Sequence, residues 1–325
     1  MNAYAASSSA VAMSVLALVG CIPVVGLLVT RLPHPATARI AAWALAVGTV
    51  ATAHVLTDGE APGFRLLALC GCGIYGMKAV VAVEDRLARG IQLSPLRYLA
   101  WTVTWPGMIP ASFRGVPGPA RTGAGALIVR GFAWLACGAV AVALARATWR
   151  ASGSALLASP VLLVGLSLIL HFGLFNLMAG AWRGVGASVD TCFPAPLVST
   201  SLSEFWSRRW NLPFTEMVQR AVYRPLAGPL GSGVAAMCGF LFSGALHEMA
   251  ISLPVRAGYG LPTLYFVLHG ALVLVERRWL ARGATLARRP WLGRTWTILW
   301  LALPAPILFH PPFLAGVAWP FLGAR

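Results

Sequence analysis

Eight long runs of apolar residues constrain the fold of this chain more than any other feature of its sequence. Most of them approach the ~20 residues that an α-helix needs to cross the hydrocarbon core of a bilayer. Because backbone polar groups in lipid must find partners within the protein, only helices and closed barrels span membranes. Continuous apolar runs favour helices over the alternating pattern of a barrel. The predicted spans are Ala10–Val29, Ile40–Leu56, Phe64–Val83, Gly125–Ala145, Ala155–Ala181, Ser232–Leu253, Leu261–Glu276 and Thr295–Val317.

The composition agrees with an all-α, polytopic integral membrane protein of about eight transmembrane helices. Hydrophobic residues make up 58% of the 325 residues and charged residues 10%, against about 25% charged residues in an ordinary soluble domain. A chain so poor in charge cannot cover its surface in water, which excludes a soluble globular enzyme, a disordered regulator and a coiled coil. The net charge of +16 would suggest nucleic acid in a soluble domain. In a membrane protein it indicates basic cytoplasmic loops, so no nucleic acid partner is predicted.

The arginines predict an orientation for these spans. If the N-terminus lies outside, 19 of the 24 arginines fall in cytoplasmic loops or at their edges, as the positive-inside rule requires. An even count of spans then places the C-terminus outside as well. Two cytoplasmic segments, 84–124 and 182–231, are too long for turns, and their mixture of Trp, Pro and Arg is typical of interfacial or re-entrant helices. We see no internal repeat and predict a single membrane-embedded domain over residues 1–325.

The first candidate functional cluster runs from Ser201 to Asn211. Ser201 and Glu204 fit a capping box, which predicts that a helix begins here. Further apolar residues give this helix a hydrophobic surface; they are Phe205, Trp206, Trp210, Phe214, Met217 and Val218. The structural interpretation of the cluster is an amphipathic interfacial helix without chemistry.

The functional interpretation of the same cluster rests on its polar end. Arg208 and Arg209 supply guanidinium groups, which bind phosphate through paired hydrogen bonds. Asn211 follows them and offers a neutral donor to a developing oxyanion.

The second cluster places a histidine beside a glutamate inside an apolar helix. Ser243 lies four residues before His247 and therefore shares its helix face, while Gly244 allows another helix or a substrate to approach closely. The sequence after Glu248 lacks the second histidine of a HExxH zinc site, so no metal is predicted. His247 is either a general base or a histidine hydrogen-bonded between helices.

The other buried histidines are expected to make structural hydrogen bonds. His171 and Asn176, in the fifth span, could also line the same cavity as His247. His269 lies in the seventh span, and His310 precedes two prolines near the end of the eighth. The eighth span contains Pro304 and Pro306, which predict a kinked or re-entrant segment.

At these residues the chain resembles the wax-synthase branch of the membrane-bound O-acyltransferases. The run SLSEFWSRRWN, then VYRPL, then SGALHE in an apolar helix carries the resemblance, with a further similar element at Trp105–Met108. The segments HFGLFN at 171–176 and FHPPFL at 309–314 are similar to bacterial members. The resemblance extends from about residue 101 to the end of the chain, whereas the first three spans match only in being hydrophobic.

The resemblance implies an all-helical fold that encloses a membrane tunnel, where acyl-CoA from the cytoplasm meets a hydroxyl-bearing acceptor such as a long-chain alcohol or another lipid. It implies that Asn211 and His247 form the catalytic pair, with acyl-CoA as co-substrate and no bound cofactor. Its bacterial features suggest the bacterial cytoplasmic membrane, whose lipids would surround the protein. The residues expected to bind substrate are Arg208, Arg209, Trp206, Trp210, Ser243, Glu248 and His171.

Other functional classes remain open at this point. A transporter or lipid flippase could use the intramembrane His247–Glu248 pair to carry a proton or bind a substrate, although no inverted repeat is visible. A degenerate acyltransferase scaffold that binds a lipid or partner is a third interpretation. Prenyl transfer is disfavoured because the only aspartates are Asp58, Asp85 and Asp190, which form no aspartate-rich motif.

Overall fold

A computed structural model describes residues 2–281 and 289–322, and every regular element in these ranges is a helix. The long helices are α1 Ser9–Val29, α2 Pro35–Leu56, α3 Pro62–Arg89, α5 Ala124–Ser152, α6 Ala155–Gly184, α8 Leu212–Val255 and α9 Leu261–Ala281. The shorter ones are α4 Pro95–Thr104, α7 Leu202–Glu204, α10 Pro290–Ala302, α11 Ala305–Leu308 and α12 Pro311–Phe313. Three 3₁₀ turns lie at Pro110–Phe113, Pro196–Val198 and Pro320–Leu322.

Five π-helical segments interrupt or extend these helices. In π-helical turns the backbone hydrogen bond spans five residues instead of four, and such turns are frequent at functional sites. Two of them lie inside α8 and a third lies inside α6, while the other two continue α7 and α12. The segments are Leu168–Leu174, Phe205–Arg209, Gln219–Tyr223, Glu248–Ser252 and Leu314–Ala318. Helix α8 also breaks at Gly231, whose φ is 80°.

Local sequence signals explain where the membrane helices begin and end. The Ser8 side chain caps α1 by accepting a hydrogen bond from the Val11 N–H, and Pro35 and Pro62 open α2 and α3, where the missing N–H costs nothing. Gly90 and Gly153 end α3 and α5 in the left-handed conformation, which glycine adopts without steric cost.

The number of candidate membrane spans is lower than predicted. Six of the described helices are long and apolar enough to cross a membrane, namely α1, α2, α3, α5, α6 and α8. A seventh would be the bent pair Pro290–Leu308 and Pro311–Ala318, which turns by 72° and agrees with the kinked or re-entrant segment expected there. The predicted seventh span is a helix, α9, but Glu276, Arg277 and Arg278 occupy its last turns. With these three charged residues, α9 is not among the candidate membrane spans. The orientation of the termini and the tunnel remain predictions.

Residue contacts divide the chain into two compact units. The larger unit takes Met1–Gln92 together with Pro194–Gly323, and the smaller takes Leu93–Phe193. The larger unit therefore joins the first three helices to the segment that carries both candidate motifs. The single acyltransferase domain over residues 1–325 remains a prediction. The last three residues, including Arg325, lie outside the described residues, as do Arg282 and Arg288.

Helix α3 is the most buried helix of the larger unit, and it packs against α1, α2 and two π segments of α8. A Cβ atom at Gly76 would lie only 2.6 Å from the Cα of Ala46, so glycine allows α2 and α3 to approach. Buried Ile22, Leu69 and Cys72 form a core cluster, against which Met249 of α8 packs. The N-terminal helices thus support the second π segment of α8.

Helices α5 and α6 of the smaller unit pack through glycines. A Cβ atom at Gly138 would lie 2.6 Å from a side-chain carbon of Ile169 and 2.9 Å from the carbonyl oxygen of Gly165. Gly131 and Gly173 lie at similar close contacts with the facing helix. Small residues of this kind drive helix association in lipid because they maximise close packing.

We expect Gly138→Ala to destabilise this helix pair. The added methyl group has no room, and overpacking of this kind costs about 1–3 kcal/mol. The matched control is Gly48→Ala on α2, where a Cβ would meet nothing within 4 Å and alanine favours the helix by up to about 1 kcal/mol. Thermal unfolding in detergent should show a lower melting temperature for Gly138→Ala alone, and equal melting temperatures would contradict the packing argument.

Candidate active site

The first motif begins as the capping box predicts, with one difference. Ser201 is the N-cap of α7, and its Oγ accepts a hydrogen bond of 2.9 Å from the Glu204 N–H. The Glu204 carboxylate, however, does not accept a hydrogen bond from the Ser201 N–H. Its Oε2 instead accepts from the backbone N–H and the hydroxyl of Thr200, at 2.9 and 3.1 Å. The carboxylate therefore fixes the chain one residue before the cap.

The helix that the sequence predicts through the whole motif is short in the structure. Three residues are α-helical, the next five form a π turn, and Trp210 is extended. Asn211 adopts a left-handed conformation, with φ 45° and ψ 59°, which asparagine tolerates better than most residues. Its Oδ1 accepts a hydrogen bond from the Phe214 N–H at 3.4 Å and so caps α8. The Nδ2 group, which carries the donors, is left for another partner.

The two motif arginines have different environments. Arg209 forms a 2.6 Å ion pair with Glu204 and also donates to the carbonyl of Pro194. Burial raises the pKa of Glu204, but the hydrogen bonds from Thr200 and Arg209 outweigh it and leave the pKa below its usual value. The pair is therefore ionised at neutral pH, and its contribution is lost only as the pH falls through this lowered pKa. Arg208 is exposed and has no ion-pair partner among the described residues.

The second motif ends the long α-helical part of α8. His247 is its last residue, and the π segment Glu248–Ser252 follows directly. The imidazole Nδ1 lies 2.7 Å from the backbone carbonyl of Ser243. A carbonyl oxygen only accepts, so Nδ1 carries the proton, and in the neutral ring Nε2 holds the free lone pair. This is the tautomer that a general base at Nε2 requires.

Aromatic rings surround His247. The Phe266 ring of α9 lies 4.3 Å from the imidazole between centroids, and the Phe214 ring lies 5.8 Å from it. Phe214 is also the residue whose N–H is bound by Asn211. Phe214 therefore contacts both predicted catalytic residues, His247 through its ring and Asn211 through its backbone N–H. That these two residues form a catalytic pair remains a prediction.

The motif tryptophans pack in different places. Trp206 lies 5.6 Å from Phe266 and 6.2 Å from Phe240, in the same aromatic cluster as His247. Its indole nitrogen is buried and has no hydrogen-bond acceptor among the residues described. Trp210 stacks on Phe205 at 5.4 Å with nearly parallel rings. Its backbone N–H donates to the Phe205 carbonyl at 2.9 Å, which closes the π turn.

Three further residues of the second motif support the helix. The hydroxyl of Ser243 donates to the carbonyl of Gly239, and it is the Ser243 carbonyl that meets the histidine. A Cβ at Gly244 would lie 2.9 Å from the Cα of Thr263, which explains the expected close approach of a neighbouring helix. The Glu248 Oε1 accepts hydrogen bonds from the backbone of Gly260 and from the backbone and hydroxyl of Thr263.

Glu248 therefore caps the start of α9. No hydrogen bond joins it to His247 in the part of the chain that the structure describes. The contribution of Glu248, Ser243 and the tryptophans to substrate binding remains a prediction.

Three other histidines have structural partners. His171 lies in the smaller unit, where its Nδ1 is 2.9 Å from the Ser167 hydroxyl and its ring stacks on Phe193. His310 accepts from the Phe313 N–H at Nδ1 and donates from Nε2 to the Ser252 hydroxyl. His269 donates from Nδ1 to the carbonyl of Tyr265. Binding of substrate by His171 remains a prediction.

Part of the chain, including both motifs, is similar to known proteins. Residues 189–268, which contain both motifs, match the model of the membrane bound O-acyl transferase family. A probable long-chain-alcohol O-fatty-acyltransferase 9 of Arabidopsis thaliana is 32% identical over 143 residues, covering 40% of this chain and 42% of the relative. The long-chain-alcohol O-fatty-acyltransferase of Simmondsia chinensis is 34% identical over 101 residues, 28% of this chain and 29% of the relative. An acyl-CoA–sterol O-acyltransferase 1 of Arabidopsis thaliana is 29% identical over 170 residues, 47% and 48% of the two chains.

The matched part of this chain is thus similar to the wax-synthase-like branch of the membrane-bound O-acyltransferases. The matches span less than half the length of these curated relatives. The matched family segment contains Asn211, His247 and Phe266 but ends before Glu276, and it does not include α1, α2 or α3.

Two polar contacts of this acyltransferase-like chain escaped the sequence analysis. Glu276 of α9 accepts hydrogen bonds from the start of α7, and buried Asp85 of α3 pairs with Arg220 at 2.8 Å. Glu276 could have been suspected, because an acidic residue at the end of an apolar run is a functional candidate by default. The Asp85–Arg220 pair joins residues 135 positions apart, and no local pattern predicts such a partner.

We expect Asp85→Ala to destabilise the protein strongly, because it leaves the buried Arg220 guanidinium without its counter-charge. Removing one partner of a buried pair costs about 3–5 kcal/mol. Glu84→Ala is the matched control, since Glu84 pairs with the half-exposed Arg39 and such surface pairs contribute about 0–1 kcal/mol. Melting temperatures in detergent would compare the two, and the double variant Asp85→Leu with Arg220→Met should recover part of the loss. An Asp85→Ala protein as stable as the control would show that the pair contributes little.

Proposed function

We propose that this protein is a membrane O-acyltransferase that moves an acyl group from acyl-CoA to a hydroxyl and forms an ester. The observation that carries the proposal is the fixed tautomer of His247, whose Nδ1–H binds the Ser243 carbonyl at 2.7 Å. An imidazole held in this way offers Nε2 as a base, and Phe214, whose ring contacts this imidazole, donates its backbone N–H to Asn211. The names of the relatives support an alcohol or sterol O-acyltransferase activity.

The reaction follows from these two side chains. His247 Nε2 takes the proton of the acceptor hydroxyl while the hydroxyl oxygen attacks the thioester carbonyl carbon. The carbonyl oxygen gains negative charge, and the free Nδ2 donors of Asn211 can stabilise it. As the tetrahedral intermediate collapses, the carbon–sulfur bond breaks. The imidazolium then returns its proton to the CoA thiolate, so the products are an ester and free CoA.

The surroundings of His247 favour an acceptor with an apolar body. Phe266 and Phe214 contact the imidazole, and Trp206 packs against Phe266. These rings would bind a hydrocarbon chain or ring system and exclude water, which otherwise would hydrolyse the thioester. A long-chain alcohol fits this lining, as would another hydroxylated lipid.

Under this proposal the phosphates of CoA bind to Arg208, and the environments of the two motif arginines support that role. Its side chain is exposed and has no ion-pair partner among the residues described, whereas Arg209 is engaged by Glu204 and Pro194. Under this proposal Arg209 holds the motif together and Arg208 meets the co-substrate. The predicted cytoplasmic side of the motif is also the side on which acyl-CoA is available.

An ester-forming assay on purified protein in detergent tests the proposed function. Labelled acyl-CoA of several lengths is offered with a panel of alcohol and sterol acceptors, and both CoA release and ester are measured. We expect His247→Ala to lower kcat by about 10²–10⁴-fold and Asn211→Ala by about 10²–10³-fold. His34→Ala is the matched control, because this exposed histidine makes no side-chain capping hydrogen bond. Full ester formation by folded His247→Ala would overturn the mechanism, and CoA release without any acceptor would indicate thioester hydrolysis instead.

A second experiment separates the two arginines. Arg208→Ala should raise the KM for acyl-CoA while kcat changes little, because a phosphate contact away from the reacting carbonyl binds ground state and transition state alike. The effect should shrink when dephospho-CoA thioesters replace acyl-CoA if the 3′-phosphate is the group bound. Arg209→Ala should instead lower stability, through loss of the Glu204 pair. Identical kinetics for Arg208→Ala and the wild-type protein would remove Arg208 from the CoA site.

A further inference from the structure

We infer that Glu276 is a positioning residue, which fixes the motif segment Ser201–Asn211 relative to His247. This inference rests on the proposed function for its kinetic consequence, while its structural consequence can be measured without any activity. Glu276 lies outside the segment that matches the family model, and it contacts neither predicted catalytic residue.

Three donors converge on the Glu276 carboxylate. Oε1 accepts from the Leu202 N–H at 2.9 Å and from the Trp296 indole N–H at 3.1 Å, and Oε2 accepts from the Ser203 N–H at 2.8 Å. Only 1% of Glu276 is exposed. The carboxylate is thus enclosed by donors, which favours an anchor over a group that exchanges protons with a substrate.

The two backbone amides that Glu276 binds have no hydrogen-bond acceptor within their own short helix. The first N–H groups of any helix lack a partner within it. In α7 the Ser201 hydroxyl binds the Glu204 N–H, while Leu202 and Ser203 depend on Glu276. With three α-helical residues and one π turn, the segment contains too few hydrogen bonds to hold a position by itself.

Helix α9 connects Glu276 with the proposed catalytic histidine. Its Phe266 contacts the imidazole of His247 at 4.3 Å, and ten residues later Glu276 holds α7. Glu248, the neighbour of His247, caps the start of the same helix through Gly260 and Thr263. Glu248 therefore links the helix of His247 to α9, and Glu276 links α9 to the segment that ends at Asn211.

The test compares Glu276→Gln with wild-type protein in two measurements. Glutamine keeps the size of the side chain but has one oxygen, so its amide N–H₂ must face a backbone donor. We expect kcat for ester formation to fall about ten- to a hundredfold with KM for acyl-CoA nearly unchanged, because small displacements of catalytic groups reduce the rate of chemistry. Hydrogen–deuterium exchange should accelerate in peptides that cover Leu202 and Ser203, while other helices keep their protection.

Two further variants make the result decisive. Trp296→Phe removes one of the three donors and keeps an aromatic ring, so it should have a smaller effect of the same kind. Glu84→Gln is the matched control. Glu84 of α3 pairs with Arg39 of α2, so this substitution should leave both measurements unchanged. Unchanged exchange at 202–203 in Glu276→Gln would overturn the inference, as would faster exchange spread over the whole chain, which indicates a role in global stability.

The kinetic arm excludes a third possibility. If exchange accelerates at 202–203 but kcat stays at the wild-type value, the anchor exists without a catalytic consequence, and the positioning role is refuted. If wild-type protein forms no ester with any substrate pair, the proposed function fails. In that event the exchange measurement still decides whether Glu276 holds the motif segment.

Discussion

The candidate site depends on hydrogen bonds that reach a short helix from outside it. Helix α7 contains three α-helical residues, and its first amides are bound by the Glu276 carboxylate. Isolated helices this short are unstable, because nucleation costs more than a few backbone bonds return. Leu202 is fully buried, so water cannot satisfy its amide and a buried acceptor becomes necessary. The position of the motif is therefore determined by Glu276 of α9 as well as by the motif sequence.

The same principle operates at His247, where a backbone carbonyl and not a carboxylate fixes the imidazole. The Ser243 carbonyl accepts the Nδ1 proton, so the neutral ring can keep its base at Nε2 without a buried charge beside it. This explains how a histidine and a glutamate can be neighbours in sequence and have separate tasks. Adjacent helical side chains diverge by about 100°, and Glu248 accordingly turns to Gly260 and Thr263.

Local chemistry in the sequence predicted much of this arrangement. The N-cap at Ser201, the close approach at Gly244 and the starts of most long helices follow from rules that involve a few neighbouring residues, and the structure confirms them. The carboxylate of Glu204 binds Thr200 and does not complete the predicted capping box. The π turns were not predictable, because apolar periodicity does not distinguish a π turn from an α-helical one. Glu276 and the Asp85–Arg220 pair were missed since each depends on partners distant in sequence, which only the folded chain brings together.

The first three helices show why sequence similarity and structural necessity need not coincide. They resemble the family only in being hydrophobic, yet α3 packs on both π segments of α8 and pairs with it through Asp85. Met249, two residues after His247, lies against the core that these helices form. Any apolar helix of suitable shape can supply such packing, so many sequences satisfy the requirement. The two candidate motifs, if they perform the proposed chemistry, are restricted to a few residue types, and they are the part in which the resemblance is recognisable.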